Sequence, residues 1–426
     1  MRKLIITAVV ITALGLAGCS SSDSGSDSTS KPIKVGALLD LTGSGKTLGT
    51  ASKAALEAGV TDAKADGVTV ELTVVDTGGV PATALSEMQR LIGEGIHSFV
   101  GPQSSSEARE ILPAADAAGA IIVSQGSTAS SIAYDNDALF RMLPTDVVEG
   151  KAAADLITSP AGIKTYAVVA HRDDAGNNGL ATTVTGDVTA NGGVVIPGPS
   201  YAPDTTNFAP VATLIGAAID GARAKAKAAG GETRVVLYLA GFDEVASIAT
   251  EAAKLKVFDG IPWFGGDGSA QSAALISNAG ADAFLVKQAA GFDSPLPTLG
   301  RESKAPSKAL DKALNPYDKI EDPLPLGAYD AMMLIIKAQQ AAGTSAIGPK
   351  LWSAFAKAAD SYIGVSGATV LNAAGDRATG EFGYWGVCAV GATYEWHMNG
   401  TWVPPKASQK VGVIEYWGCG KDSVSK

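Results

Sequence analysis

From Lys31 onward, short β-branched apolar runs alternate with alanine-rich segments of helical length. Residues 33–39 read as an apolar strand and 48–65 as a helix with few breakers. Residues 68–76 alternate apolar and polar side chains, the period of a half-buried strand. Residues 81–94 open on proline, which suits the first turn of a helix. Further strands are expected at 96–100, 120–124, 165–170, 235–239 and 261–264, with helices at 107–118, 176–190, 207–229 and 243–255. Such alternation predicts an α/β chain whose parallel sheets are covered on both faces. Residues 324–359 read as helical, and 365–417 as strands and hairpins with turn signals at Asn372 to Asp376 and at Asn399-Gly400. No internal repeat is evident.

Before this pattern the chain is different. Arg2 and Lys3 precede an apolar run over residues 4–16, which Leu16-Ala17-Gly18-Cys19 closes. The run is too short to span a membrane and fits a secretory signal. Small residues at 17 and 18 let the chain enter a peptidase cleft, and Cys19 supplies the thiol for a lipid thioether. This stretch resembles a bacterial lipobox. Residues 1–18 are therefore expected to be a signal peptide, and 19–30 an acylated cysteine with a flexible serine-rich tether. The expected location is the cell envelope, lipid-anchored outside the cytoplasmic membrane. In such a compartment the two remaining cysteines, Cys388 and Cys419, are expected to pair in a structural disulfide.

The 426 residues exceed one ordinary core and suit two lobes. A net charge of −10 disfavours binding to phosphate backbones, so no nucleic-acid partner is expected. Several motifs fail on inspection. Gly43-Ser44-Gly45-Lys46-Thr47 ends like a phosphate loop, but the glycine that the pattern needs earlier is Asp40. His97, His171 and His397 are scattered without metal-site spacing, although His171 ends a strand. Asp173-Asp174 lacks the spacing of a calcium loop. Ser366 lies in a GxSxG-like stretch one glycine short. These failures argue against an enzyme, a cofactor or a bound metal.

In open α/β sheets, ligands bind beyond the carboxyl ends of the strands. Three strand-end loops carry suitable groups. Ser104-Ser105-Ser106-Glu107 opens a helix and offers hydroxyls and free N–H groups to a carboxylate, or it is only an N-cap. Ser124-Gln125-Gly126-Ser127-Thr128 adds hydroxyls. Gly265-Gly266-Asp267-Gly268 places one carboxylate among glycines, where it could neutralise an ammonium group or serve only the turn.

Over residues 31 to about 385 the chain resembles the type I periplasmic binding proteins, specifically their leucine/isoleucine/valine-binding branch. Val35-Gly36-Ala37-Leu38 with Leu41-Thr42-Gly43 is similar to that family's first strand and loop. Phe99-Val100-Gly101-Pro102 with the serines is similar to its carboxylate turn, and Phe140-Arg141 with Asp146 to its first crossover. Asn372 to Gly375 and Gly380 to Tyr384 are similar to its closing hairpin. The resemblance implies two doubly wound parallel-sheet lobes joined by three crossover segments, 31–145 plus 291–366 and 146–290 plus 367–426. It implies that Ser105 and Thr128 hold a ligand carboxylate with help from backbone groups near Ser127, that Asp267 takes an α-ammonium group, and that Phe242 lines the pocket. The implied function is capture of an amino acid or similar small zwitterion for the permease subunits of an ABC importer. A sensor module feeding a receptor, or capture of an amide- or urea-type or other small organic solute, are the alternatives. The stretch His171 to Asn177 lacks the aromatic that the family usually has there, so that wall of the pocket is expected to differ.

Overall fold

The computed structural model describes residues 31–288, 291–299, 303–317, 321–378, 380–406 and 408–419. The signal, Cys19 and the tether lie outside the described residues. The first lobe is built on a five-stranded, wholly parallel sheet: β1 (Ile33–Leu39), β2 (Val70–Asp76), β3 (Ser98–Val100), β4 (Ile121–Ser124) and β5 (Leu139–Arg141), in the order β2-β1-β3-β4-β5. Helices α1 (Lys46–Ala65), α2 (Pro81–Gly93) and α3 (Ser105–Ala118) connect them. Alternation along the strands decides which helices each face meets. Val35, Ala37, Leu39, Val100 and Val123 join one core, and Leu38, Phe99 and Ile122 the opposite one.

The second lobe starts with α4 (Asp146–Thr158) and continues through β6 (Lys164–Arg172), α5 (Ala175–Ala190), β7 (Val194–Tyr201), α6 (Ala209–Ala229), β8 (Thr233–Ala240) and α7 (Val245–Ala252). It closes with β9 (Trp263–Gly265), the short α8 (Ala273–Ser277) and α9 (Asp282–Val286), and β10 (Phe292–Pro297). The chain then returns to the first lobe as α10 (Lys308–Leu314), α11 (Pro323–Ala342), α12 (Pro349–Ala359) and the small hairpin β11 (Ile363–Gly364) and β12 (Gly367–Ala368). Leu310 and Leu314 pack with Ala51 and Ala55 of α1, while Met332 and Ile335 of α11 cover the sheet. A last crossing leads to β13 (Phe382–Val390), β14 (Thr393–Val403) and β15 (Val413–Tyr416), which extend the second sheet to the order β15-β14-β13-β10-β9-β8-β6-β7.

Two lobes and three crossings are thus present, but two expected boundaries move toward the C-terminus. β10, expected in the first lobe, pairs with β9 and β13 in the second sheet. The hairpin β11–β12 and the turn to Asp376, which bridges to Arg141, stay with the first lobe. The second sheet is also mixed: β13 runs antiparallel to β10. Two prolines in β10 hid it, since proline cannot donate to a ladder. They sit where β10 has left β9 and pairs only with β13. A disulfide links Cys388 on β13 to Cys419 beyond β15.

Candidate functional site

The loops after β1, β3 and β4 face those after β6, β8 and β9 across a cleft. Gly101 ends β3 at φ +92°, and a Cβ there would lie 2.2 Å from the Leu38 carbonyl oxygen, so only glycine lets the loop turn away. Ser104 then caps α3, accepting from the Glu107 N–H at 3.3 Å and donating to the Glu107 carboxylate. For Ser104 the capping alternative is the observed one. Asp40 accepts from the N–H groups of Gly43 and Gly45. The residue that broke the phosphate-loop pattern therefore fills that loop with its own carboxylate.

A cavity lies between the lobes. Leu48, Gln103, Ser105, Thr128 and Leu324 line it from the first lobe. Asp174, Asn177, Leu180, Phe242 and Asp267 line it from the second. Four of the five expected site residues, Ser105, Thr128, Phe242 and Asp267, thus share one cavity. Ser127 is not on its wall. It is buried, and its hydroxyl donates to Ser105 Oγ at 3.3 Å. Ser105 Oγ also accepts from the N–H groups of Thr128 and Ala129, at 3.2 and 3.1 Å. With these acceptor roles filled, its own proton is left to donate into the cavity, which suits a carboxylate. His171 is not on the wall either.

The wall expected to depart from the family pattern is built by Asp174, which accepts from Asn177 N–H as the N-cap of α5, together with Gly176, Asn177 and Leu180. Arg172 stands beside it, ion-paired with Asp174 at 3.0 Å and Glu244 at 3.5 Å, its guanidinium 5.4 Å from the centre of the Phe242 ring. The lobes touch directly around the cleft. Arg172 donates to Ser44 Oγ at 2.8 Å, Thr47 Oγ1 to Asp243 at 2.8 Å, and Ala175 N–H to Ser106 Oγ at 2.9 Å.

The electrostatics of the far wall were not legible in the motifs. Asp267 projects from the turn after β9, and its backbone N–H donates to Glu149 Oε1 of α4 at 2.8 Å. Burial pushes the Asp267 carboxyl up to about 7, with the charges of Asp322 and Asp174 adding to the rise. Asp146 is likewise raised to about 7 by burial and by Asp267, against a hydrogen bond from Thr128. Burial and the same neighbours raise Glu149 well above the carboxylate range. Among the described residues no group of three His, Cys, Asp or Glu is arranged to hold a metal ion, and no helix is long and apolar enough to cross a membrane.

Comparison with known proteins places this geometry. The family model described as periplasmic binding protein matches residues 32–387. The uncharacterized protein MJ1266 of Methanocaldococcus jannaschii is 26% identical over 423 residues, covering 93% of this chain and 96% of that one. Among solved structures, the substrate-binding protein LivJ of a branched-chain amino acid transporter from Streptococcus pneumoniae, in complex with isoleucine, is 21% identical with a TM-score of 0.65. It is matched over 86% of this chain and 99% of its own. The leucine-binding protein LivK of Thermotoga maritima matches at 19% identity and a TM-score of 0.66, over 86% and 97% of the two chains. A solute-binding protein of an R. palustris ABC transporter, in complex with benzoate, matches at 21% and 0.67, over 86% and 95%.

Proposed function

Because the chain belongs to the periplasmic binding protein family, a family of binding proteins and not of enzymes, we propose that it captures an amino acid for an ABC importer. The ligand is an α-amino acid with an apolar side chain, held between the lobes. Two kinds of ligand occur among the structural neighbours, branched-chain amino acids and aromatic acids. The observation that favours the first is Asp267 on the cavity wall, backed by Glu149. A benzoate brings no cation to these carboxylates, whereas an α-ammonium group forms a charge-assisted hydrogen bond with Asp267. Ser105 and Thr128 on the opposite wall receive the ligand carboxylate, and Leu48, Leu180, Leu324 and Phe242 surround its side chain.

Closure makes the site, because neither lobe alone supplies both ends of the zwitterion. The closed form then docks on permease subunits, and Cys19 tethers the protein to the outer side of the membrane. Replacing Cys19 by serine is expected to release the protein from membranes, and retention in that variant would count against the anchor.

The ligand reading is tested by thermal unfolding with L-leucine, L-isoleucine and benzoate in turn. A ligand at about 100 times its dissociation constant stabilises the folded state by about 2.7 kcal/mol. Stabilisation by either amino acid and none by benzoate is expected. The reverse pattern would overturn the reading.

A further inference from the structure

Glu149 and Asp146 are buried on α4, and neither lines the cavity. Tyr238, fully buried on β8, aims its hydroxyl at the same place. A Cβ on Gly266 would meet Leu180 Cδ2 at 2.6 Å, and the Tyr238 hydroxyl and Glu149 Oε1 lie 3.3 and 3.4 Å from the same point, which brings both groups to the root of Asp267. The Tyr238 hydroxyl is buried without a hydrogen-bond partner, a condition native proteins rarely tolerate in an idle group. The charged groups that face the cluster are Asp146 from α4, Asp174 at the start of α5, Asp322 ahead of α11, and Arg141 from β5. Arg141 is paired with Asp376, and Arg172 with Asp174 and Glu244. Among the described residues no lysine or arginine forms an ion pair with Asp267 or Glu149.

We propose that Glu149 and Asp267 hold one proton between them in the empty site, and that a ligand's ammonium group binds in exchange for that proton. Glu149 is a positioning residue that acts through Asp267, and the inference rests on Asp267 being the ammonium acceptor proposed above. The exchange balances: the ligand brings one positive charge, the proton leaves to solvent through the cleft, and the charge of the site is unchanged. Two neighbouring carboxylates, Glu149 buried and Asp267 half-buried, resist being ionised together. The arriving cation relieves that repulsion, and the Tyr238 hydroxyl gains an ionised acceptor. The upward displacement of both carboxyls by burial agrees with this arrangement.

Calorimetric titration with L-leucine in buffers of different protonation heat reads the exchange directly. At about pH 8, close to one proton released per leucine is expected, with affinity weakening about tenfold between about pH 8 and about pH 7. In Glu149→Gln, Asp267 stands alone and is already ionised at the higher pH. Release should then be nearly lost, and the affinity change reduced to about twofold. A purely structural Glu149 would weaken binding at both pH values and leave the proton count unchanged; an equal count in both proteins overturns the proposal. Carbon NMR of the carboxyl groups tests it without leucine. Glu149 should be protonated at about pH 8 in the empty protein and should ionise when methylammonium chloride is added. An ionised Glu149 in the empty protein, or no response to methylammonium, overturns it. If methylammonium ionises Glu149 while leucine does not bind, the proton exchange stands and only the choice of leucine fails.

Discussion

Two buried ionic regions lie on either side of the first crossing, and they are built on opposite terms. On one side, Arg141 Nε donates to Asp376 at 2.6 Å and Arg141 Nη1 to the Ala129 carbonyl at 2.7 Å. Nearby, Asp330 accepts from Tyr362, from the backbone of Val365 and from both the N–H and hydroxyl of Ser366. Arg377 donates to the carbonyls of Met142 and Ser366. These charges tie the crossing segments together, and apart from Arg141 Nη2 they find hydrogen-bond partners within the chain. On the other side, Asp146, Glu149 and Asp267 repel one another, with Arg141 facing Asp146 and no cation in an ion pair with any of them among the described residues, and the nearby Tyr238 hydroxyl is buried without a hydrogen-bond partner. Burial costs both regions solvation. The first offsets that cost within the chain and serves the scaffold. On the function proposed above, the second leaves it to be offset by the ligand's ammonium group, and that would set a capture site apart from a structural one.

The largest expected effect comes from breaking the first region. Arg141→Met strands the buried Asp376 carboxylate, and loss of one partner of a buried pair costs about 3–5 kcal/mol. Chemical unfolding of the empty protein measures it. A change within about 0.5 kcal/mol, the range of ordinary surface substitutions, would show that this pair is no more structural than the cluster opposite.

Asp267→Asn should do the reverse. Amino-acid affinity is expected to fall by about 2–5 kcal/mol, as when one partner of a desolvated charge pair is truncated. Stability of the empty protein should hold or rise, because an unpaired buried carboxyl has become neutral. Calorimetric binding and unfolding measured on the same sample separate the two. An equal loss of binding and stability would mean that Asp267 serves the turn after β9 instead.

The acidic wall also predicts a pH response. Asp146 and Asp267 titrate near 7 in the folded chain and near 3.8 when unfolded. Between those values the folded state binds more protons, so this contribution is fully present at the acid end and declines as pH rises from about 4 toward 7. The empty protein should unfold at a higher temperature near pH 5 than near pH 8, and Asp267→Asn should flatten the slope by on the order of 1 kcal/mol across the window. Saturating ligand should flatten it as well.

How much of this the chain disclosed depends on how local the signal is. The β-branched runs of β1, β3, β4, β6 and β8 carry their own periodicity and were legible within a few residues. β7 contains Pro197 and β10 contains Pro295 and Pro297, and their strand character comes from pairing with distant neighbours. Helix α4 is apolar or buried around most of its surface, so it shows no clean stripe. Ser105, Thr128 and Asp267 each follow a strand within a few residues, and their meeting at one cavity could be anticipated from the sequence. Glu149 could not, since its contact with Asp267 joins residues 118 positions apart. One signal was available: Glu149, Ala153 and Leu156 recur at helical spacing, which sets a carboxylate on a buried face.

The smallest expected effect sharpens the comparison where the two kinds of charge come closest. Arg172 is a cation at the mouth of the cleft, and it could be mistaken for the counter-charge of the acidic wall or for the ligand's carboxylate partner. Its geometry says otherwise. It is held by Asp174, Glu244 and Ser44 and covered by the Phe242 ring. Phe242→Leu removes the ring and with it a cation–π contact worth about 0.5–1 kcal/mol at a partly exposed site. If Arg172 is bound to its own carboxylates, it stays in place, and amino-acid affinity should change by only about threefold, with an unchanged dependence on pH. A loss of affinity alone would report the ring's own contact with the ligand, whereas a new response to pH would mean that the ring keeps Arg172 from swinging toward Asp267. The acidic wall would then have a latent partner within the chain, and the distinction between its two ionic regions would be one of degree.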